Sequence, residues 1–281
     1  MTERGYFVSF EGGDGGGKTT QARLLGDWLG TALGREVVVT REPGGTALGA
    51  TLRQLILHGE DMDPRTEALL YAADRAHHVA SLVRPALERG AVVITDRYLD
   101  SSVAYQSGGR ELSEQEVEDL SLWAVRGLLP DVTILLDVDL ATSGARMSGD
   151  LDRLERVDDA FRQRTRDAYH RRAAADPARW VVVDAAGTVE EVHAQVRAAV
   201  AERLHLPALD PAETPAAPVV EPVETTSSRV VEPAKSSRVV EPVETSPVVE
   251  PVETTSSRVV EPVETSPVVE PVETTPGDGL R

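Results

Sequence analysis

Gly12-Gly13-Asp14-Gly15-Gly16-Gly17-Lys18-Thr19 is the stretch that decides the fold, because it fits the phosphate-binding pattern G-x-x-x-x-G-K-[ST]. An alternating, strand-like run at 6–10 precedes it, and apolar residues at helical spacing follow from 19 to 33. Glycines let the backbone wrap closely around an anion, and the N–H groups that open a helix attract it. Lys18 offers a charge to the outer phosphates and Thr19 a hydroxyl to Mg²⁺. A glycine-rich turn that matches by chance is the alternative, and the flanking strand and helix count against it.

The rest of the first 206 residues alternates strand-like and helix-like stretches. Short runs rich in Val and Ile predict buried parallel strands near 5–11, 36–40, 91–95, 132–137 and 180–184. Helical spacing predicts helices over 18–33, 47–57, 65–89, 113–127, 157–175 and 188–204. This order predicts an α/β fold of the P-loop NTPase type, an open parallel five-stranded sheet with helices on both faces. Ligands bind such sheets beyond the carboxyl ends of the strands.

The composition excludes several classes of function. The net charge of −18 argues against a general role in binding nucleic acid or a membrane surface. The chain has no cysteine, which excludes disulfides, cysteine-based zinc sites and thiol catalysis. The sequence begins without an apolar signal region, and no run approaches about 18 apolar residues, so we expect a soluble cytoplasmic protein.

Residues 207–281 differ in composition from the rest of the chain. They hold 13 of the 18 prolines, no aromatic residue, and 14 acidic against 5 basic residues, about half of the net charge (14 − 5 = 9). Residues 236–255 and 256–275 are identical in sequence. Such a repeat cannot bury enough apolar surface to offset the entropy of ordering, so we expect a folded domain over 1–206 and a disordered tail over 207–281. The tail is interpreted either as a tether or docking segment or, as the identical copies favour, as translated repetitive DNA without a role.

Three further segments narrow the class of P-loop protein. The chain contains no asparagine, so the guanine-binding motif N-K-x-D of GTP-binding switches is absent. Motor and transporter ATPases usually need more chain, partner domains or signature loops, which this sequence does not show, so small kinases with a second anion site remain. Arg41 follows the second predicted strand, where a guanidinium can grip a phosphate. Asp96 and Arg97 end the third, with Asp96 placed like the Walker-B carboxylate that helps to hold Mg²⁺. Tyr71 and Arg75 share a face of the long helix. Taken singly, Arg41 also fits a surface arginine in a turn, and Asp74-Arg75 is more often an intrahelical charge pair beside a core aromatic.

Together these segments resemble the thymidylate kinase family over nearly all of residues 5–205. The most specific one is DRYLDSSVAYQ at 96–106, which is close to the family's DR[YFH]-x-x-S-x-x-A-[YF]. FEGGD at 10–14, TREPGGT at 40–46 and LLYAADR at 69–75 are similar to its FEG-x-[DE], TREPGGT and LLFAADR. DRLE at 152–155 resembles the DR[IL]E of its lid. Separate motifs in the right order make chance agreement negligible.

The resemblance implies transfer of the γ-phosphoryl group of ATP to dTMP, giving dTDP and ADP in dTTP biosynthesis. It implies Mg²⁺ as cofactor, bound with Thr19 and Asp96, and a homodimer formed through helices. The residues expected to bind ATP are Gly12, Gly13, Asp14, Gly15, Gly16, Gly17, Lys18, Thr19 and Thr20. The residues expected to act in catalysis are Lys18, Arg41, Arg97 and Arg153.

The resemblance also implies how the sugar and phosphate of dTMP are held. Asp14 is expected at the sugar 3′-hydroxyl, and Arg41 and Arg97 at the acceptor phosphate. Tyr105 is expected to crowd the 2′ position and reject ribose.

The same resemblance assigns the thymine base to four residues. Tyr71 stands where the family stacks an aromatic side chain on thymine, usually Phe. Arg75 is expected to hydrogen-bond the base edge, helped by Ser102 or Gln106. Ala50 replaces a glutamate that is usual after TREPGGT, which puts an acidic role there in doubt.

The lid is expected to supply the cation that stabilises the transition state. Some family members carry an arginine inside the P-loop, where this chain has Gly15, whereas its segment 146–156 holds Arg146, Arg153 and Arg156. This resembles the lid-arginine subclass, and we assign the role to Arg153. Arg146 and Arg156 fit a solvated helix face equally well.

The sequence leaves two alternative functions open. A kinase for another nucleotide or for a nucleoside is one, although a nucleoside acceptor needs no phosphate clamp. A non-catalytic nucleotide-binding protein that presents its tail to a partner is the other, and Lys18, Thr19 and Asp96 count against it. We expect no nucleic-acid or membrane partner.

Overall fold

The computed structural model describes residues 4–107, 112–147 and 158–206, together with the backbone of a short strand at 219–220. The chain divides into one unit of residues 1–227 and another of residues 228–281, and all of the described residues lie in the first. Apart from residues 219–220, the predicted tail from residue 207 onward lies outside the described residues.

The centre of the fold is a parallel sheet in the order β5-β4-β1-β3-β2-β6. All five predicted strands are present, and they are β1 (Phe7–Glu11), β2 (Val37–Arg41), β3 (Val92–Asp96), β4 (Val132–Asp137) and β5 (Trp180–Asp184). The three central strands β1, β3 and β4 are almost wholly buried on both faces, which is why they read as continuous apolar runs, whereas β5 exposes Val182. Because β1 lies between β4 and β3, the chain changes direction across the sheet beside the loop after β1, where ligands bind in such folds.

The sheet gains one short strand that the sequence did not predict. β6 (Val219–Val220) pairs in parallel with Val37 and Val38 of β2. Without it β2 would be an edge strand with unpaired N–H and C=O groups, and two β-branched residues suit such an edge. The prediction of a tail disordered from 207 onward departs from the structure at these two residues.

Most of the helices lie where helical spacing predicts them, with small differences at their ends, and two short ones at 99–107 and 140–146 lie outside those stretches. The described helices are α1 (Lys18–Leu33), α2 (Ala47–His58), α3 (Pro64–His78), α4 (Arg84–Glu88), α5 (Leu99–Ser107), α6 (Glu114–Ala124), α7 (Leu140–Arg146), α8 (Asp159–Ala175) and α9 (Val189–Arg203). α7 was not predicted, since it is too short for periodicity to reveal; Asp139 caps it by accepting from the N–H of Thr142 at 2.8 Å. None of the described helices is both long and apolar enough to cross a membrane.

The long helix predicted over 65–89 contains an irregular turn. Residues Val79–Val83 form a π-helical segment between α3 and α4. Pro85 lies just beyond and lacks the N–H that would continue the regular hydrogen-bond ladder, a common cause of such interruptions. The start of the helix is well defined, because Asp63 caps it and Pro64 occupies its first turn.

The core consists of layers on the two faces of the sheet. One layer packs α1 and α9 against the sheet, with Leu25, Leu29 and Val196 fully buried. The other contains the π-helical segment, α4 and the start of α5. A smaller cluster packs α8 against α5 and the sheet. Because α1, α5 and α8 all pack around the carboxyl ends of β1 and β3, their side chains meet at that edge.

Candidate active site

The loop between β1 and α1 follows a backbone course that suits glycine. Gly12, Gly15 and Gly17 have φ angles of 132°, 76° and 84°, which L side chains rarely adopt. A Cβ at Gly12 would lie 2.6 Å from the carbonyl oxygen of Leu136, and one at Gly15 would lie 2.5 Å from that of Ser143. Gly17 precedes α1 without a side-chain cap, which leaves the first N–H groups of the helix for an anion.

Lys18 is the first residue of α1 and is held over this loop. It is buried, and its Nζ donates to the carbonyl oxygen of Gly13 at 2.7 Å. Burial lowers the pKa of Lys18, and the neighbouring Arg97 guanidinium lowers it further. A polyphosphate beside Lys18 would favour its charged form and reverse this shift.

Thr19 and Asp96 form a pair of oxygen donors that fits a magnesium ion. Phe10 and Asp96 are opposite each other in the parallel pairing of β1 and β3, which brings the carboxylate to the start of α1. Thr19 Oγ1 donates to Asp96 Oδ2 at 2.5 Å. Mg²⁺ prefers such oxygen ligands and takes the rest of its shell from water and phosphate, so a hydroxyl and a carboxylate suffice.

Arg97 follows β3 with its backbone in the left-handed region, at φ 69°. This conformation is uncommon for residues other than glycine, and it concentrates at functional sites. The backbone around it is fixed, because its N–H donates to the carbonyl of Phe10 at 2.9 Å. Its Nη1 donates to the carbonyl of Gly12 at 3.2 Å and to Ser101 Oγ at 3.1 Å. The backbone geometry therefore places the guanidinium beside the P-loop.

Asp14 and Tyr105 complete the surroundings of the Arg97 guanidinium. Arg97 Nη2 lies 2.5 Å from Asp14 Oδ1, and the hydroxyl of Tyr105 donates to Asp14 Oδ2 at 3.0 Å. Burial alone would raise the pKa of Asp14, but Arg97 and Lys18 lower it to about 2. Asp14 is therefore ionised at neutral pH and can accept a hydrogen bond from a hydroxyl.

The P-loop and the predicted phosphate clamp open into the same cleft, which encloses about 770 Å³ of empty space including its open mouth. Arg41 is the last residue of β2 and is opposite Asp96 in the pairing of β2 with β3. Lys18 and Thr19 at the start of α1 therefore converge with Arg41 and Arg97 at the ends of two strands. The remaining residues that line the cleft are Asp14, Gly15, Gly17, Thr20, Glu42, Arg53 and Asp96.

A second cleft of about 620 Å³ adjoins the first and shares Asp14, Glu42, Arg53 and Arg97 with it. The residues predicted to contact thymine line it, namely Tyr71, Arg75, Ser102 and Gln106, and Tyr105 lines it too. Arg53 was not among the predicted site residues; it lies on α2, and its Nη1 donates to the carbonyl of Pro43 at 2.9 Å. Its nearness to TREPGGT in the sequence is the signal that could have identified it.

Arg75 is buried, and most of its guanidinium N–H groups donate to other protein groups. Its Nε donates to Glu42 Oε2 at 2.7 Å, and its Nη2 donates to Ser102 Oγ at 3.0 Å and to the carbonyl of Tyr98 at 3.3 Å. Burial alone would lower the pKa of Arg75, but Glu42 raises it above its ordinary value. The guanidinium is therefore a fixed charge in the wall of the second cleft.

Behind Arg75 lies a buried polar cluster that sequence reasoning missed. Glu42 Oε1 lies 2.8 Å from His78 Nδ1, and His78 Nε2 lies 2.8 Å from Thr40 Oγ1. Asp74 accepts from the N–H of Gly44 at 3.2 Å, and burial together with Glu42 raises its pKa to about 6. Glu42 and Asp74 both lie inside matched motifs, yet nothing in the sequence shows that they turn inward.

A second missed group lies beneath Arg97. Glu11 is fully buried and accepts from the N–H of Tyr98 at 2.9 Å and from Ser101 Oγ at 2.5 Å. Tyr169 of α8 donates to it at 3.2 Å and also contacts Arg97 at 3.3 Å. Burial and the nearby Asp100 raise the pKa of Glu11 to about 7. Glu11 therefore links the start of α5 to the P-loop strand.

The predicted lid is only partly described. Arg153 and Arg156 lie outside the described residues. Arg146 ends α7, and its guanidinium donates to the carbonyls of Ala185 at 2.7 Å and Ala186 at 3.0 Å. Arg146 is thus held against the loop after β5 in this structure.

Comparison with known proteins identifies the family. The family model described as Thymidylate kinase matches residues 10–196. The thymidylate kinase of Leifsonia xyli subsp. xyli (strain CTCB07) is 60% identical over 197 residues, 69% of this chain and 93% of the relative. That of Bifidobacterium longum (strain NCC 2705) is 58% identical over 203 residues, 70% of this chain and 98% of the relative.

A solved structure agrees with these relatives. The crystal structure of thymidylate kinase from Ehrlichia chaffeensis is similar with a TM-score of 0.59 and 32% sequence identity, and the match covers 70% of this chain and 99% of that one. From the family model, the relatives and this structure it follows that the chain belongs to the thymidylate kinase family.

Proposed function

We propose that this chain is a cytoplasmic, homodimeric, magnesium-dependent kinase that transfers the γ-phosphoryl group of ATP to dTMP, giving dTDP and ADP. One observation carries the proposal. Lys18 and Thr19 of the P-loop line the same cleft as Arg41 and Arg97, so a donor and an acceptor phosphate can meet there. Family membership names the acceptor as dTMP.

On the donor side, the P-loop holds the phosphates of ATP. The N–H groups of residues 12–20 surround the β-phosphate, and Lys18 leaves the carbonyl of Gly13 for the β- and γ-oxygens. Thr19 and Asp96 would hold Mg²⁺, which neutralises charge on the phosphate oxygens when it is bound.

On the acceptor side, Arg41 and Arg97 grip the phosphate of dTMP. A phosphate oxygen of dTMP forms the new bond to the γ-phosphorus of ATP, and the bond from that phosphorus to the bridging oxygen of ADP breaks. The acceptor phosphate is already ionised, so no general base is needed. The ion pair between Arg97 and Asp14 orients the guanidinium before dTMP arrives, which reduces the cost of ordering it.

The second cleft receives the nucleoside of dTMP. Tyr71 stacks on thymine and Arg75 donates to the base edge, with Ser102 and Gln106 beside it. Asp14 accepts a hydrogen bond from the 3′-hydroxyl, in keeping with its low pKa. Tyr105 is held by hydrogen bonds to Asp14 and Arg97, and its fixed ring would crowd a 2′-hydroxyl and so select deoxyribose.

Arg153 supplies the cation that stabilises the transition state when the lid closes. A Cβ at Gly15 would lie 2.5 Å from the carbonyl oxygen of Ser143, so this P-loop position does not suit an arginine. This supports the proposal that the cation comes from the lid. An arginine that reaches the transferring phosphoryl group contributes about 10³–10⁵ in rate in related P-loop enzymes.

Exposed apolar side chains support the homodimer. Leu55 of α2, Leu69 of α3 and Trp123 of α6 are 51%, 57% and 78% exposed. α3 packs against both α2 and α6, so these helices form one surface. Since contiguous exposed apolar side chains are typical of protein interfaces, we place the contact between the two protomers on these helices. Sedimentation equilibrium is expected to give twice the mass of one chain.

The choice of phosphate acceptor provides the test of the proposed function. Release of ADP is measured with purified protein, ATP and Mg²⁺, and with dTMP, dUMP, AMP or no acceptor. We expect rapid release with dTMP, slower release with dUMP, and background rates with AMP or no acceptor. Lys18→Met should reduce the dTMP rate to background, whereas a change at exposed Glu60 should not. ADP release without an acceptor, or equal rates with AMP, would contradict the proposal.

A further inference from the structure

Gln106 carries a buried carbonyl oxygen without a partner in the second cleft. Its side chain is 1% exposed and lines the cleft beside Tyr71 and Arg75. Its Oε1 has no hydrogen-bond partner among the described residues. Buried polar atoms are nearly always paired, so an unpaired acceptor in the wall of a ligand cleft points to a donor on the ligand.

The orientation of the Gln106 amide is fixed from behind by Glu67. Gln106 Nε2 donates to Glu67 Oε1 at 3.2 Å, and Glu67 of α3 is fully buried. An ionised carboxylate only accepts hydrogen bonds, so it selects the NH₂ end of the amide. Glu67 therefore determines that Gln106 presents its carbonyl oxygen, and not its NH₂ group, to the other side.

The cleft thus offers a donor and an acceptor in a defined arrangement. Arg75 is a fixed donor and Gln106 Oε1 a fixed acceptor. Thymine presents a carbonyl oxygen at C4 next to an N–H at N3, which complements this arrangement. Cytosine presents the reverse, an NH₂ at C4 and an unprotonated N3, so both of its contacts would be mismatched.

We infer that Glu67 is a positioning residue that sets base selectivity, because it turns the carbonyl oxygen of Gln106 towards the N3–H of thymine. This inference rests on the proposed function, since it concerns how the same cleft selects its acceptor. Selectivity of this kind is strong because a wrong base leaves buried polar groups unpaired.

The test compares dTMP with 5-methyl-dCMP, which differ only at N3 and at the C4 substituent. In Glu67→Gln, residue 67 can either accept or donate, so the amide of Gln106 is free to turn over. The ratio of kcat/KM for dTMP to that for 5-methyl-dCMP should fall about tenfold or more, as expected for one reversed hydrogen bond. Glu60→Gln, the same change at an exposed position, should leave the ratio unchanged.

The outcomes separate the inference from the function on which it rests. A merely structural role for Glu67 would lower kcat/KM for both nucleotides by the same factor, and an unchanged ratio overturns the inference. If Glu67→Gln melts below the assay temperature, Gln106→Met replaces it; the ratio must fall by a similar factor, and an unchanged ratio again overturns the inference. Failure of the unaltered protein to phosphorylate dTMP would instead refute the proposed function.

Discussion

Replacing Glu42 by Gln removes the charge that compensates Arg75 in the wall of the second cleft. Glu42 Oε2 lies 2.7 Å from Arg75 Nε, and the two side chains are only 1% and 2% exposed. Its other oxygen lies 2.8 Å from His78. Gln has the same shape and keeps hydrogen-bonding groups at both places, so the change isolates the charge.

The expected cost follows from the burial of the pair. Removing one partner of a buried ion pair costs about 3–5 kcal/mol, because an uncompensated charge stays inside the protein. Asp74 also attracts the Arg75 charge, so we expect the lower end, about 3 kcal/mol. For a domain of this size that corresponds to a fall in melting temperature of roughly 6–12 °C.

A matched control lies at the other end of the same strand. Glu36 precedes β2 and pairs with Arg89 at 2.6 and 2.7 Å, but the side chains are 35% and 49% exposed. Glu36→Gln should cost no more than about 1 kcal/mol, since exposed pairs are screened by water. Urea denaturation at one pH measures both variants. If Glu42→Gln costs as little as Glu36→Gln, the account of the buried cluster is wrong.

Three further predictions concern the lid, the buried Glu11 and the tail. Arg153→Ala should lower kcat far more than it raises the Kd for dTMP, because its contact forms mainly in the transition state; an unchanged kcat refutes the lid assignment. The pKa of Glu11 is raised from 4.5 to about 7, so the folded state keeps a proton that the unfolded chain releases, and stability falls as pH rises through that range. Glu11→Gln should remove this loss, at most about 1.4 kcal/mol per pH unit, and parallel pH profiles of melting temperature for the two proteins would count against it. Truncation after Ser227 should leave turnover and melting temperature unchanged, whereas truncation after Leu206 should keep turnover and lower the melting temperature by no more than about 5 °C, since the two-residue β6 is what the described part of the chain loses; a larger loss would show that more of the tail supports the domain.

The elements that the sequence predicts well are those with a strong local signal. Five strands appear where short Val- and Ile-rich runs stand, and long helices appear where apolar residues recur at helical spacing. The phosphate-binding motif at 12–19 correctly predicts the positions of β1, α1 and the loop between them, because a strand, a glycine-rich turn and a helix are encoded within one short stretch.

The features that the sequence did not reveal depend on contacts between distant segments. Tyr169 reaches Glu11 across 158 positions, and no local pattern marks either residue as a partner of the other. Glu42 and Gln106 belong to matched motifs, but only the packing of α3 shows that His78 and Glu67 fix their orientation. The pairing of β6 with β2 depends on an open strand edge, which tail composition cannot show.

The central claim is that one cleft holds two phosphate groups in line, one on the P-loop and one on the arginine clamp. A crystal structure of the chain with dTMP and a non-hydrolysable ATP analogue tests it most directly. We predict the dTMP phosphate within hydrogen-bonding distance of the Arg41 and Arg97 guanidinium groups, facing the γ-phosphate beside Lys18. A dTMP phosphate bound away from both arginines would contradict the account.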